Sequence, residues 1–499
     1  MQFYIVMSNS HVTGIVRKQY LLLPDIIEDY IDKDNPIRMI DAFVDSLDLN
    51  KMGFRYSVLE EGPGRPSYDP SDLLKLYLWG YYNGIRSSRK LEKECKRNIE
   101  VMWLIRKLTP DFKTIADFRK DNVSSIKPVF RFFVDACRES GIISGNTVGI
   151  DGTKVKAWNS RGRNFTRDGI GKRIDEIDDK IDRYLKEMDQ NDETEKDERK
   201  ITDMREKIED MRNKVSELRK IRNMMDENSL EEISLTDPES KLMKTKNGLD
   251  VCLNAHIAVE SESHMITDYM VNNDTNDHSS LVPLTDTSKE ILGSVVVTAD
   301  KGHYSLDNLR KLDAEHVEFY ISEERRGNPS RKVGVPTSDY HQSLFRYDRE
   351  NDAYICPEGK ELHFWRNFNK KGTNFGIYKT DACLQCTARK MCTTSRKGRK
   401  IRRSDIAEVE EAHRRRMKLM GREMMTLRSS VSEHPFGTMK RSMNGAYALL
   451  KGVRKFSGEF GLMAIAYNLK RLATLNGEKK ADGFLRINGP KTMDIKATV

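Results

Sequence analysis

The sequence predicts an α/β protein: a mixed sheet that follows a helical N-terminal region and carries two insertions. Three observations lead there. Apolar side chains at helical spacing dominate residues 17–145. From residue 146, short β-branched runs alternate with helical stretches in the order strand, long gap, strand, strand, helix, strand, helix, strand. Two long segments interrupt that order, one with heptad spacing and one with a cysteine cluster.

In the helical region, Tyr68-Asp69-Pro70-Ser71-Asp72 reads as a turn and helix start, with Asp72 favourably placed in the first turn. Leu73, Leu74, Leu76, Tyr77, Trp79 and Tyr81 supply the apolar helix after it. Residues 87–100 set basic side chains around Leu91, Ile99 and Val101 open another apolar stretch, and Thr114 to Arg119 begins a charged helix. The expectation is a helical bundle with a solvated basic face, or a helical DNA-binding or dimerisation domain.

The sheet begins at Thr147-Val148-Gly149-Ile150-Asp151-Gly152, which alternates and ends on an acid followed by Gly. Val251 to Val259 and Met265 to Val271, joined by the polar turn Glu260 to His264, give a hairpin signal. Leu281 to Ile291 has helical spacing. The run Val295-Val296-Val297-Thr298 leads directly into Asp300-Lys301-Gly302. Leu306 to Leu312 is helical, and Val317 to Ile321 is a fifth short strand. Within the long gap, Ile170, Ile174, Ile177, Ile181, Tyr184 and Met188 repeat in steps of four and three. So do Ile201, Met204, Ile208, Met211, Val215 and Leu218. With the polar link Asp189 to Lys200 between them, they predict an antiparallel helical hairpin, a coiled-coil dimer segment being the alternative. Residues 170–228 hold 15 basic and 19 acidic side chains, which favours a protein contact or spacer over a phosphate contact. An apolar helix around Phe460, Leu462, Met463, Ile465, Ala466 and Leu469 precedes a polar tail.

Composition excludes several classes. The 499 residues contain no apolar run of about 18, so no membrane-spanning helix is expected. Aliphatic and aromatic content is too high for general disorder. Cys95, Cys137 and Cys252 stand alone in apolar contexts, and seven cysteines do not make a secreted disulfide scaffold. Met1 to Val16 lacks the basic start and small-residue cleavage site of a signal peptide. A reducing, cytoplasmic setting follows.

Two acids end apolar strands, Asp151 and Asp300, with Lys154 and Lys301 beside them. An acid at a strand end is by default a turn former. Two at neighbouring strand ends meet in space and suit Mg²⁺, which takes oxygen ligands. A third acid is expected on a helix against that edge, and Glu433 in Ser432-Glu433-His434-Pro435-Phe436-Gly437 is the candidate. Pro435 is expected in the first turn of that helix. Glu433, Phe436 or Gly437, and Lys440 would share a face, placing Lys440 for a phosphate.

These segments resemble the bacterial insertion-sequence transposases with a DDE triad on an RNase H-like fold. Gly64-Arg65-Pro66-Ser67-Tyr68-Asp69-Pro70, Arg86-Ser87-Ser88-Arg89-Lys90-Leu91 and Thr114 to Arg119 look like the family's N-terminal helical domain. Ile150-Asp151-Gly152-Thr153-Lys154 is similar to its first-Asp strand and Ala299-Asp300-Lys301-Gly302-His303-Tyr304 to its second-Asp motif. Thr236 to Ser240 and Lys246 to Val251 are similar to the lead-in to its second strand. Val431 to Arg441 resembles its Glu motif and Met463 to Arg471 its last helix. The likeness runs from about residue 60 to 475. Many relatives carry Tyr and Arg upstream of the Glu; here Arg428 is present, and Met424 and Met425 stand where Tyr would.

The resemblance implies two-metal phosphoryl transfer. Asp151, Asp300 and Glu433 would hold two Mg²⁺ or Mn²⁺ ions. Lys154, Lys301, Arg428, Lys440 and Arg441 would contact DNA. The partners would be double-stranded DNA, as element terminal inverted repeats and as target, and a second copy of the chain. The setting would be the bacterial nucleoid. A catalytically silent DNA-binding derivative and a metal-dependent nuclease without strand transfer are the alternatives. His256 and His434 read as core or hydrogen-bonding residues. Asp274 and Asp277 read as turn formers, with a smaller chance of supporting the site.

Cys356, Cys383, Cys386 and Cys392, spaced C-x26-C-x2-C-x5-C, fit a structural Zn²⁺ site with four thiolates and no open position. Just beyond, the charge becomes local. The chain carries 86 basic and 77 acidic residues, a net of +9. Cys386 to Arg422 alone has 13 basic and 4 acidic residues, also +9. This arm, including Arg414, Arg415 and Arg416, has the footprint of phosphate-backbone contacts. The expected division is residues 1–145 helical; 146–168, 233–322 and 426–476 catalytic; 169–232 helical hairpin; 323–425 cysteine-rich insertion; and 477–499 tail.

Overall fold

A computed structural model describes residues 26–55, 67–159, 161–192, 198–246, 248–323, 338–370 and 372–475. The Gly64-Arg65-Pro66 start of the helical-domain motif, Met1 to Val16, most of the opening of the cysteine-rich insertion, part of the hairpin link and the polar tail lie outside the described residues.

The N-terminal region is helical throughout: α1 (Pro36–Asp45), α2 (Pro70–Tyr82), α3 (Ser88–Arg97), α4 (Ile99–Leu104), α5 (Phe112–Asp121) and α6 (Ile126–Glu139). Short polar side chains start four of these, with Asn98 capping α4. Asn35 accepts from Ile37 N at 2.9 Å, Asp69 from Ser71 N at 2.7 Å, and Asp111 from Lys113 N at 2.8 Å. Pro36 and Pro70 occupy the first helical positions, where no N–H is needed. α2 is buried on nearly every side, which explains why its apolar residues do not keep to one stripe.

The central sheet contains β1 (Thr147–Lys156), β4 (Lys241–Thr245), β5 (Gly248–Glu260), β6 (Ile266–Asn272), β7 (Val296–Ala299) and β8 (Glu318–Ile321). Before β4 the chain forms a two-stranded ribbon, β2 (Asn164–Thr166) with β3 (Glu232–Ser234). Two long helices rise from this ribbon, α7 (Arg167–Asp192) and α8 (Glu198–Glu227). They pack against each other through Ile170, Ile174, Val215 and Leu218, heptad positions of the sequence, and through Ile221 and Met225, which continue the same spacing beyond the expected series. β5 runs antiparallel to β1, and β6 antiparallel to β5, while β7 and β8 are parallel to β1. The order β6-β5-β1-β7-β8, three antiparallel strands followed by two parallel ones, is the RNase H-like arrangement. α9 (Leu281–Leu292) and α10 (Leu306–Ala314) make the connections on either side of β7.

The segment after β8 holds a second sheet, which the sequence did not announce. It is fully antiparallel, in the order β13-β12-β11-β10-β9: β9 (Arg346–Asp348), β10 (Ala353–Ile355), β11 (Glu361–Lys370), β12 (Thr373–Lys379) and β13 (Lys400–Ser404). One short helix, α11 (Arg389–Cys392), lies between β12 and β13. Phe345, Tyr354, Leu362, Tyr378 and Ile401 form its own small core.

α12 then runs unbroken from Ala407 to Arg441 against β8, β7, β1 and β5. This corrects the expectation for Pro435, which lies in the interior of the helix and not in a first turn. Pro435 denies Val431 its i+4 donor. The helix continues because Val431, Ser432, Pro435 and Met439 are all buried against the sheet, and tertiary packing overrides the local penalty. The final helix, α13 (Val453–Leu475), is buried over most of its length between α2, α6 and β6. One apolar core therefore runs from the N-terminal helices through the central sheet to Leu472. Among the described residues no helix is long and apolar enough to cross a membrane.

Candidate active site

Register brings the first two acids together. In the parallel pairing of β1 with β7, Ile150 lies opposite Ala299, so the next residues, Asp151 and Asp300, are neighbours. β7 ends at Ala299, but β1 runs on to Lys156 with Asp151 opposite Ile257 of β5, which corrects the expectation that Asp151 ends its strand. Burial raises the Asp151 carboxyl above the usual carboxylate range, against the pull of Arg428 and with a push from the Asp300 charge. Asp151 accepts hydrogen bonds from Arg428 Nη1 at 3.1 Å, Ser432 Oγ at 3.0 Å and Gly152 N at 2.8 Å. Burial also opposes ionisation of Asp300. His303 and the Gly302 N–H outweigh it and hold that carboxyl below its ordinary value. His303 Nδ1 lies 2.9 Å and Gly302 N 2.8 Å from Asp300 Oδ1.

The third acid is on α12. Arg428 and Ser432, one turn apart, fix that helix onto Asp151, and Glu433 follows Ser432 with its side chain exposed. Lys440, two turns on, donates to Thr153 Oγ1 and to the Lys154 carbonyl, so the same flank of the helix reaches the end of β1. Burial, reinforced by Lys246, lowers the Lys440 amine from its usual range. Lys301 is exposed next to Asp300, and Arg441 is exposed at the end of α12.

A fourth carboxylate belongs to this group. Asp277 takes hydrogen bonds from Lys154 Nζ at 2.8 Å and Asn254 Nδ2 at 2.7 Å. Burial opposes its charge, but these two donors hold it below the usual range. Lys154 thus spends its charge on Asp277. A Cβ on Gly302 would stand 2.8 Å from Asp277 Oδ2 and 3.0 Å from Asp300 Oδ1. A Cβ on Gly152 would meet His256 Nδ1 at 2.6 Å and Asp277 Oδ1 at 3.2 Å. Both glycines are therefore needed for space, since carboxylates close over them. The signal for Asp277 was its place in the loop after β6, at the same sheet edge, but Asn276-Asp277 looks like any Asx turn.

His256 is fully buried under Gly152, 3.1 Å from Ser280 Oγ, and burial pushes it to about 4, so it is neutral. His434 faces away from the acids, its Nδ1 2.9 Å from the Tyr467 hydroxyl, which donates to the His264 carbonyl. Asp274 accepts from Ser279 in a local turn.

Among the described residues no group of three or more His, Cys, Asp or Glu side chains is arranged to hold a metal ion. The donor chemistry at the strand ends nonetheless suits a hard divalent cation. Oxygens of Asp277 and Asp300 converge on the space over Gly302, with Asp151 alongside. The four late cysteines are free thiols that line one small cavity with Tyr340, Phe345 and Ala388. Lys360 N donates to Cys356 Sγ at 3.3 Å. Burial, opposed by Arg399 and aided by the other three thiols, raises Cys392. Four soft donors facing one cavity match zinc.

The basic arm divides into two parts. Arg414 is paired with Glu323 at 3.0 Å and Glu410 at 3.3 Å, and Arg416 lies over the Phe319 ring at 4.7 Å. Arg415 is exposed. Lys418 and Arg422 follow on the same helix, and the remaining basic residues lie on and before β13.

Two family models match parts of the chain. Residues 25–121 match the family model described as a transposase domain, DUF772. Residues 355–473 match the one described as a transposase DDE domain. That second match spans the cysteines, β13, α12 and α13, whereas Asp151 and Asp300 precede it. No curated protein matches the chain. Among solved structures, the piggyBac transposase synaptic complex with hairpin DNA aligns over 91% of this chain and 79% of that one, at 9% identity and a TM-score of 0.30.

Proposed function

We propose that this chain, an insertion-sequence DDE transposase by its two matched domains, cleaves DNA at the ends of its element and transfers the cut strands into target DNA. The observation that carries the reading is the parallel pairing that sets Asp151, within β1, beside Asp300, just past β7, with the Glu433 helix fixed to Asp151 by Arg428 and Ser432. Asp151, Asp300 and Glu433, with Asp277 adjacent, are the residues that would hold two Mg²⁺ or Mn²⁺ ions. Such ions, when bound, neutralise the scissile phosphate and make water or a 3′-hydroxyl a better nucleophile.

The chain's own side chains do the rest. Asp151 and Asp300 concentrate negative charge at one sheet edge, and the DNA must bring compensating cations with it. Arg428 neutralises Asp151 in the free protein and orients its carboxylate. Lys440 and Lys301 stand on either side of the acids to receive phosphate oxygens, with Arg441 further along. Lys154 supports the site from beneath through Asp277. The cysteine cavity would hold a structural Zn²⁺. Two copies of the chain would bring two element ends together.

The test is a strand-joining assay with end-sequence DNA and Mg²⁺. The wild-type chain should cut and join. Asp151→Asn and Glu433→Gln should bind the same DNA yet lose cleavage at least a hundredfold. Cleavage without joining would make the chain a nuclease; binding without cleavage would make it a silent DNA-binding derivative; full cleavage by either variant would remove the triad.

A further inference from the structure

The outer face of the second sheet collects cations that have no acidic partner. Lys379 on β12 is registered opposite Lys400 on β13, and Ile377 lies opposite both Arg366 and Arg402. Side chains on registered and alternate positions share a face, so these four cations stand together. Two exposed aromatic residues of β11 sit among them. Arg366, Lys379 and Lys400 lie 4.5, 4.8 and 4.7 Å from the Trp365 ring, and Arg402 lies 5.6 Å from Phe368. The alternate residues of β13 point the other way. Ile401 is in the small core, and Arg403 lies over Tyr347 and pairs with Glu411 at 2.7 Å. Among the described residues, the ion pairs made by these three strands are His363 with Glu361 and Arg403 with Glu411, so none of the four outer cations is neutralised.

Like charges directly opposite each other destabilise a sheet. Here Lys379 and Lys400 face each other at the end of the β12–β13 pairing, on a face that also carries two arginines. Cation–π attraction to Trp365 and Phe368 offsets part of the repulsion and holds the long side chains in place, so little ordering remains to be done on binding. A fixed array of unpaired cations is complementary to a polyanion. Its aromatic faces are already covered by cations, which leaves phosphates, and not bases, as the groups it can meet. On α12, Arg414 is paired with Glu323 and Glu410 and Arg416 lies over the Phe319 ring, while the four cations of the sheet face have no acidic partner.

We propose that this outer face, centred on Lys379, Lys400 and Arg402 and organised by Trp365, is a docking surface for the phosphate backbone of duplex DNA. It rests on the reading of the chain as a DNA-acting enzyme only for the choice of polyanion. The surface lies apart from the acid cluster, on a different sheet, and its contact is independent of sequence.

The experiment uses the full chain and a labelled duplex of arbitrary sequence lacking element ends, titrated by fluorescence anisotropy over a series of salt concentrations. Each phosphate contact contributes about 0.9 to the slope of log affinity against log salt. The variant Lys379→Gln, Lys400→Gln, Arg402→Gln should flatten that slope by roughly 2–3 and weaken binding at least tenfold. Trp365→Leu keeps the charges, so it should preserve the slope while weakening binding severalfold. Trp365, Lys400 and Arg402 are exposed and Lys379 is half-buried, and melting temperature checks that the fold is intact. A triple variant with the parental slope overturns the proposal. So does tighter binding of single-stranded than duplex DNA, which would make the face a base-stacking platform. Duplex binding that depends on the sheet, in a chain that neither cuts nor joins, would sink the catalytic reading alone. Normal strand joining by a triple variant with unchanged salt slope would sink the docking surface alone.

Discussion

At the scale of single residues, the site is a problem of fitting carboxylates into little space. Gly302 shows how tight it is, because a methyl group there would press on two carboxylate tips at 2.8 and 3.0 Å. Those tips belong to flexible side chains, so they can yield without disturbing the backbone. Gly302→Ala should therefore cost the fold only about 1 kcal/mol, yet lower cleavage on the order of a hundredfold, since misplacing a catalytic group by about 1 Å costs that much. Parallel denaturant melts and cleavage rates would separate the two; equal losses in both would show that the glycine serves folding alone. Asp151 and Asp300 were legible in the sequence because each comes at or just after a β-branched stretch and has a glycine one or two residues on. Asp277 was not, since its loop position gives no periodicity and its partners, Lys154 and Asn254, lie 123 and 23 residues away.

At the scale of elements, legibility depended on whether a pattern had a competitor. The helices α7 and α8 were readable because heptad spacing over many turns has no strand equivalent. The second sheet was missed because β9, β10 and β13 are only three to five residues long and the outer face of β11 to β13 is basic, so hydrophobic alternation is half erased. Pro435 misled for the opposite reason: a local rule placed it at a helix start, and burial on both sides overrode the rule. The ribbon of β2 and β3 has a consequence for the hairpin. Asn164 is registered opposite Ser234, so the helices leave and re-enter the fold a strand spacing apart. Excising residues 167–231 and closing the ribbon with Asn-Gly should leave the remaining fold cooperative, with its unfolding free energy changed by no more than about 1–2 kcal/mol, because a two-residue turn suits an antiparallel pair. Insolubility or loss of cooperative unfolding would mean that the hairpin supports the sheet.

At the scale of the whole molecule, the N-terminal helices are not an appended module. Their core is continuous with that of the central sheet. The connection includes a fully buried ion pair between Arg86 and Glu459. Arg86 also donates to the Tyr447 carbonyl at 2.7 Å, and Glu459 accepts from Leu449 N and Leu450 N. The sequence showed Arg86 as part of a basic stretch, because nothing local identifies a partner 373 residues away. Arg86→Met leaves Glu459 buried without its partner, which should cost about 3–5 kcal/mol in chemical denaturation. A loss below about 1 kcal/mol would show that the pair is not what joins the two regions.

α12 places one end beside the second sheet and Glu433 near the other. From Ala407 to Glu433 is about 39 Å at 1.5 Å per residue. On a lever of that length, a swing of only one degree about its root displaces the tip by about 0.7 Å, already beyond the roughly 0.5 Å a reacting constellation tolerates. The helix cannot aim its acid from its base. Its bearing is at the far end, where Arg428 and Ser432 grip Asp151, so the carboxylate that needs a partner also serves as the stop that sets the partner's position.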